Sequence, residues 1–156
     1  QWVGVTLDFG NNVSLLEEPM DVIRTLAPIA FSTHVKDMGV KAYDKGFLLS
    51  EVELGKGIVD LKEAVTLCQK YNPDVTFSLE MITRDPLQIP CFEESYWTTF
   101  DHPQAQDLAK ILRIVRDKSY PDSLPEVKNL NAEEKLAFEE ENVVKCLAYS
   151  KANLSL

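Results

Sequence analysis

No stretch of this chain is apolar for long enough to cross a bilayer as a helix, which takes about 20 residues. Cysteine is scarce and odd in number. Cys68, Cys91 and Cys146 stand far apart with no CxxC pairing, which argues for reduced thiols in a cytoplasmic setting over a disulfide framework. Basic residues are outnumbered, 16 Lys and Arg against 25 Asp and Glu, for a formal net charge of −9. Acids spread along the whole chain argue against a nucleic-acid backbone as partner and set no preference among small ligands. There is no internal repeat, no low-complexity tract and no visible signal peptide. The sequence starts at Gln1 and not at Met, so a leader or a longer segment is expected upstream. Gly55-Lys56-Gly57 lacks the length and the Ser/Thr of a P-loop and reads as a turn ahead of a helix.

What is present is an ordinary globular composition, 45% hydrophobic and 26% charged over 156 residues, enough for one domain with a sizeable core. Residues 2–7 are apolar at nearly every position, as in a strand buried on both faces of a parallel sheet. Glu17-Glu18-Pro19 starts a helix with acids at its positive end, and Val22, Ile23 and Leu26 form its buried stripe. A strand through Ser32-Thr33-His34 follows. Residues 43–57 look like an inserted hairpin turning at Asp44-Lys45-Gly46, with residues 47–49 and 52–54 as its arms. Asp60 caps a helix in which Leu61, Ala64, Val65 and Cys68 share one face. Asn72-Pro73-Asp74 turns the chain into a strand over 75–81. A long loop over 82–103 leads to a helix over 104–118 with Leu108, Ile111, Leu112 and Val115 as its stripe. Residues 120–129 read as a linker, and Asn131 to Glu134 as a capping box opening an acidic last helix. Strand–helix–strand–helix–strand is the pattern of βα units in a parallel α/β sheet.

Three of these runs finish on a polar side chain: Asp8, His34 and Glu80. Oxygen, nitrogen and oxygen donors converging at strand C-terminal ends suit Mn²⁺, Mg²⁺, Co²⁺ or Zn²⁺, and that is where α/β folds build their sites. Each also has a plain structural reading, as a loop cap, a satisfied histidine and a salt-bridge partner. His34 and Lys36 should leave one face of the strand, with Asp37 just past its end. Lys36 would stabilise an oxyanion or be a solvated charge. Arg84, four residues after Glu80, would hold an oxygen-rich substrate or pair with Asp85 on the surface. Cys91 reads as a packed thiol, and Trp97 and Phe100 as cover for a pocket or a core.

Together these motifs resemble the sugar phosphate isomerases and epimerases with the xylose isomerase-like TIM barrel. The matching stretches are Leu7-Asp8-Phe9-Gly10-Asn11 with Glu17-Glu18-Pro19, His34-Val35-Lys36-Asp37, Gly55-Lys56-Gly57, and Leu79-Glu80 through Arg84-Asp85-Pro86. They span roughly residues 2 to 118. The resemblance implies that residues 1–120 are about three C-terminal βα units of a (β/α)8 barrel, with a linker and helical extension over 121–156. It implies that Asp8, His34 and Glu80 are metal ligands, Glu80 also an acid/base, and Asn11, Lys36 and Arg84 substrate contacts. Several epimerases have His where Asn11 stands. The family's first glutamate, a further ligand and the partner acid/base, has no counterpart here, since its strand would precede Gln1.

The expected activity is therefore metal-dependent isomerisation or epimerisation of a sugar, sugar phosphate or polyol through an enediolate, with a keto-polyol dehydratase as the nearest enzymatic alternative. An endonuclease of the related apurinic-site type fits the charge less well. A non-catalytic chain that only packs against a partner is the alternative from another class. Three strands cannot close a barrel, so Val5, Leu7, Phe77 and Leu79 are expected to face an absent opposite wall. The expected partners are a second copy or an N-terminal half, unless the last helix covers that face.

Overall fold

The structure is a computed structural model and describes residues 3–156; Trp2, the expected first residue of the first strand, lies outside them. The fold is α/β, with two small open sheets. β1 (Val5–Asp8), β2 (Ala30–Val35) and β5 (Thr76–Leu79) form a parallel sheet in the order β1-β2-β5. β3 (Asp37–Tyr43), β4 (Gly46–Val52) and β6 (Leu87–Ile89) form an antiparallel one in the order β3-β4-β6. The crossovers of the parallel sheet carry α1 (Pro19–Leu26) and α2 (Leu61–Tyr71), and α3 (Ala105–Asp117) and α4 (Ala132–Tyr149) come after it. No helix among the described residues is long and apolar enough to cross a membrane.

Three of the four α-helices, α1, α2 and α4, begin at a side chain that caps them. The Glu18 carboxylate accepts from Asp21 N at 2.7 Å, and Asp60 from Glu63 N at 3.0 Å, with Pro19 at the first turn of α1. Asn131 and Glu134 form a reciprocal capping box at the start of α4. The hairpin differs from the expected one. Its turn is at Asp44-Lys45, but residues 47–49 and Val52 lie in one strand, β4, which pairs back onto β3 from Asp37↔Val52 to Tyr43↔Gly46. The apolar run Met38-Gly39-Val40 is what gives β4 a partner, and β6, inside the stretch expected to be loop, adds a third strand.

The two faces of the parallel sheet are also the reverse of the expectation. Leu7, Thr33 and Val35 are buried, with Phe77 and Leu79 in register beside them. Leu7 and Val35 belong to one core with Ile23 of α1, Ala27 just after it, and Leu61, Ala64, Val65 and Cys68 of α2, and the half-buried Phe77 and Leu79 pack against it. Thr6, Ser32, Thr76, His34 and Ser78 alternate onto the other face, where Thr6 and Ser32 exchange a hydroxyl hydrogen bond of 2.7 Å. The helices therefore already cover the apolar side chains, and the open face is polar.

One buried acid joins the sheets to the Gly55–Val59 loop and to α4. Lys36 alone separates β2 from β3, and the next residue, Asp37, is 1% exposed. Its carboxylate accepts from Met38 N (2.9 Å), Gly55 N (3.0 Å), Gly57 N (2.8 Å) and Val59 N (3.1 Å). Gly57 is needed because a Cβ there would overlap that carboxylate. Gly55-Lys56-Gly57 is thus a turn wrapped around Asp37, with the two glycine amides committed inward. Tyr149 of α4 closes over Gly55, and Lys145 of α4 pairs with Glu53 at 2.9 Å.

Burial pushes the Asp37 carboxyl up to about 6, against the pull of its four backbone donors. A carboxyl raised above its ordinary 3.8 is favoured neutral by the fold. Its contribution is complete at low pH and is lost as pH rises through about 6. Asp37→Ala, which strands several amides, should cost at least about 3 kcal/mol in a urea titration at neutral pH. Relative to Asp37→Asn, the unaltered protein should lose stability between pH 4 and pH 7; a constant difference would show that Asp37 stays ionised throughout.

Candidate metal centre

Asp8, His34 and Ser78 sit side by side in the strand register, and Glu80 comes one residue after β5, its N–H donating to Val35 O at 3.0 Å. The parallel register therefore brings the three sequence-predicted ligands to one end of the sheet. One ligand atom from each of Asp8, His34 and Glu80 lies within 4.8 Å of the others. His34 Nδ1 is 2.6 Å from Glu80 Oε2 and 3.7 Å from Asp8 Oδ2.

Asp8 divides its work between two oxygens. Oδ1 accepts from Gly10 N at 2.8 Å and Asn11 N at 2.7 Å, so it caps the loop. Oδ2 points into the cluster. Gly10 is required because a Cβ there would overlap Met38, and the chain turns there into the short 3-10 helix Asn11–Leu15. Tyr96 braces that turn by donating to Ser14 O at 2.6 Å. Tyr96, Trp97 and Phe100 pack together with ring centroids 5.1–5.3 Å apart, so the aromatics support the Asn11 loop.

Lys36 leaves the same face as His34 and is fully buried. Its ammonium lies 3.0 Å from Asp8 Oδ2 and 2.9 Å from Glu80 Oε1, and it donates to Asn11 Oδ1 at 3.1 Å. Those three contacts place two carboxylates and an amide oxygen around its three protons. Burial alone would pull the ammonium down; its donation to the Glu80 and Asp8 carboxylates, with the charges of Asp8 and Glu51, outweighs that and holds Lys36 above its usual value. It is a permanent cation between two acids, not a solvated charge.

Arg84 turns away from Asp85, whose carboxylate instead ties the loop to the chain at Val127 N and Lys128 N. Its guanidinium is 3.7 Å from Glu51 Oε1, which is also 3.8 Å from Lys36 Nζ. Glu51 is absent from the sequence-predicted site. Its signal in the sequence is a carboxylate inside the apolar run 47–52, a position that burial makes costly unless cations answer it.

The cluster suits a divalent cation on its own geometry. Asp8 Oδ2 and Glu80 Oε2 are buried and accept no well-directed hydrogen bond, although Lys36 and His34 stand close to them. Two carboxylates and an imidazole are the donors that Mn²⁺, Mg²⁺, Co²⁺ and Zn²⁺ accept. Bonds of about 2.0–2.2 Å place ligand atoms at most about 4.4 Å apart, so small side-chain rotations would close the three on one ion. Compared with protein-family models, curated proteins and solved structures, the chain matches none.

Lys36→Met should be strongly destabilising, by about 3 kcal/mol or more, because it leaves Asp8, Glu80 and Glu51 facing one another without their cation. Chemical denaturation in metal-free buffer checks this. A loss below about 1 kcal/mol would mean that the acids relax into solvent.

Proposed function

We propose that this chain carries the metal-holding end of a sugar or polyol isomerase/epimerase. In this reading β1, β2 and β5 with their helices are consecutive units of a xylose isomerase-like TIM barrel. The observation that carries the reading is the O–N–O donor set at the C-terminal ends of three adjacent parallel strands, backed by a buried cation. The motif resemblance supplies the substrate class.

A divalent ion held by Asp8, His34 and Glu80 would polarise a carbonyl and the neighbouring hydroxyl, acidifying the C–H of the hydroxyl-bearing carbon. Glu80 takes that proton as general base, and the electron pair moves onto the carbonyl oxygen, leaving an enediolate. Returning the proton to the former carbonyl carbon, while the hydroxyl proton passes to the former carbonyl oxygen, isomerises the sugar. Returning it to the opposite face of the carbon it left epimerises the sugar and needs a second acid. The Lys36 proton now given to Asn11 is the one a substrate oxygen would claim, with Asn11 accepting from a substrate hydroxyl in turn. Arg84 lies at the outer edge, its side chain 41% exposed, where it can meet a further oxygen or a phosphate. With a divalent ion bound, Asp8, Glu51 and Glu80 against Lys36 and Arg84 leave the site singly positive, and one charge more positive once Glu80 holds the proton, which favours the anionic enediolate. A keto-polyol dehydratase would use the same parts and differ in expelling a hydroxyl.

The second reading is a non-catalytic chain that packs against a partner, a second copy or a segment bearing the further glutamate. It is supported by the open edges of the parallel sheet at β1 and β5. The three buried, unpaired cysteines fit a reducing, cytoplasmic setting in either case.

Mn²⁺ titration followed by water-proton relaxation tests the site. Binding should be saturable, and Asp8→Asn, His34→Ala and Glu80→Gln should each weaken it by at least about tenfold while circular dichroism is unchanged. With only three of these donors, the purified chain should not turn over ketoses. Affinity unchanged in all three variants would place the ion elsewhere.

A further inference from the structure

Glu51 is the buried acid at this end of the sheet that the proposed chemistry leaves without a task. It lies on β4 opposite Met38, and its side chain is 1% exposed. One carboxylate oxygen accepts from Ile82 N, the backbone of the loop that carries Glu80 and Arg84. The other, Oε1, is buried with no hydrogen-bond partner and lies 3.8 Å from Lys36 Nζ and 3.7 Å from Arg84 Nη2. A single carboxylate on a strand therefore grips the loop by its backbone and stands between the loop's guanidinium and the buried ammonium.

We propose that Glu51 is a positioning residue that aims Arg84 at the oxygens of an anionic ligand bound beside Asp8, His34 and Glu80; it rests on the metal reading only for what that ligand is. A long side chain on a loop loses several rotamers when it is fixed. An anion held by a strand keeps it fixed before the ligand arrives, so less is lost on binding. The guanidinium has five donors in a planar fork, and one edge toward Glu51 leaves the others for the ligand. A pure loop clamp would need only the oxygen facing Ile82. The second oxygen, placed between two cations, is what points to the further role.

The substitution Glu51→Gln separates the two tasks, because glutamine keeps an acceptor for Ile82 N but loses the charge facing Arg84 and Lys36. The first measurement is ¹⁵N relaxation of the Arg84 Nε–H in the whole chain without metal. The order parameter should be near the rigid-backbone value of about 0.85 in the unaltered protein and below about 0.6 in Glu51→Gln. The second is oxalate titration, with and without Mn²⁺. Arg84→Ala should weaken oxalate roughly tenfold, the worth of one charge-assisted hydrogen bond. Glu51→Gln should weaken it by a similar factor, and the double variant should be no weaker than Arg84→Ala alone.

Losses that multiply in the double variant would overturn the proposal, since Glu51 would then act without Arg84. An Arg84 signal as mobile in the unaltered protein as a free surface arginine would overturn it too, even if Glu51→Gln does not fold. Failure of Mn²⁺ to bind would overturn the metal reading and not this one, which the arginine signal decides by itself.

Discussion

The buried ammonium of Lys36 is the contact on which the rest of this molecule turns. A lysine with no exposed side-chain surface persists only where acids surround it. Here Asp8 comes from the end of β1, Glu80 from the end of β5 and Glu51 from β4, so one charge ties the parallel sheet to the antiparallel one. The same arrangement keeps two carboxylates near a half-exposed imidazole, at a spacing that mutual repulsion would otherwise widen. Structural support and candidate chemistry are thus one set of atoms. The candidate cation site is held together by a monovalent cation already built into the chain.

Asp37 performs the matching task one residue later, with backbone amides in place of side chains. It collects the Gly55–Val59 segment and so sets where α2 begins and where α4 can lie across the hairpin. Because Lys36 and Asp37 are adjacent and their side chains diverge, the dipeptide links the cluster on one side to the loop scaffold on the other. Few substitutions between residues 34 and 38 would leave both intact.

Much of this was legible in the sequence, and the failures have physical causes. The strand end at Asp8, the caps at Asp60 and Asn131, and the helical stripes follow from local patterning, which the structure keeps; β2 runs one residue past His34 and β5 stops one residue short of Glu80. The hairpin partner was not legible in this way, because local pattern carries no information on whether residues 47–49 pair forward with Val52-Glu53-Leu54 or, as part of a longer strand ending at Val52, back onto Met38-Gly39-Val40. The inward and outward faces of the parallel sheet were reversed for a related reason. Alternation separates Leu7 from Thr6 and Asp8, but not which side the helices will cover; that is decided only once α1 and α2 are placed. Glu51 escaped notice because its partners are 15 and 33 residues away in sequence and meet it only through the β3–β4 pairing. The identity of a substrate lies beyond this geometry and rests on the motif resemblance.

The most direct measurement is crystallographic: diffraction from Mn²⁺-soaked crystals at the manganese absorption edge, where the anomalous signal locates the ion without reference to any assumed ligand. One strong peak is expected, bonded to Asp8, His34 and Glu80 at about 2.0–2.2 Å, with Lys36 still buried beside them. Crystals that take up manganese only at surface carboxylates, leaving His34 against Glu80 and Lys36 between the two acids, would contradict the metal centre.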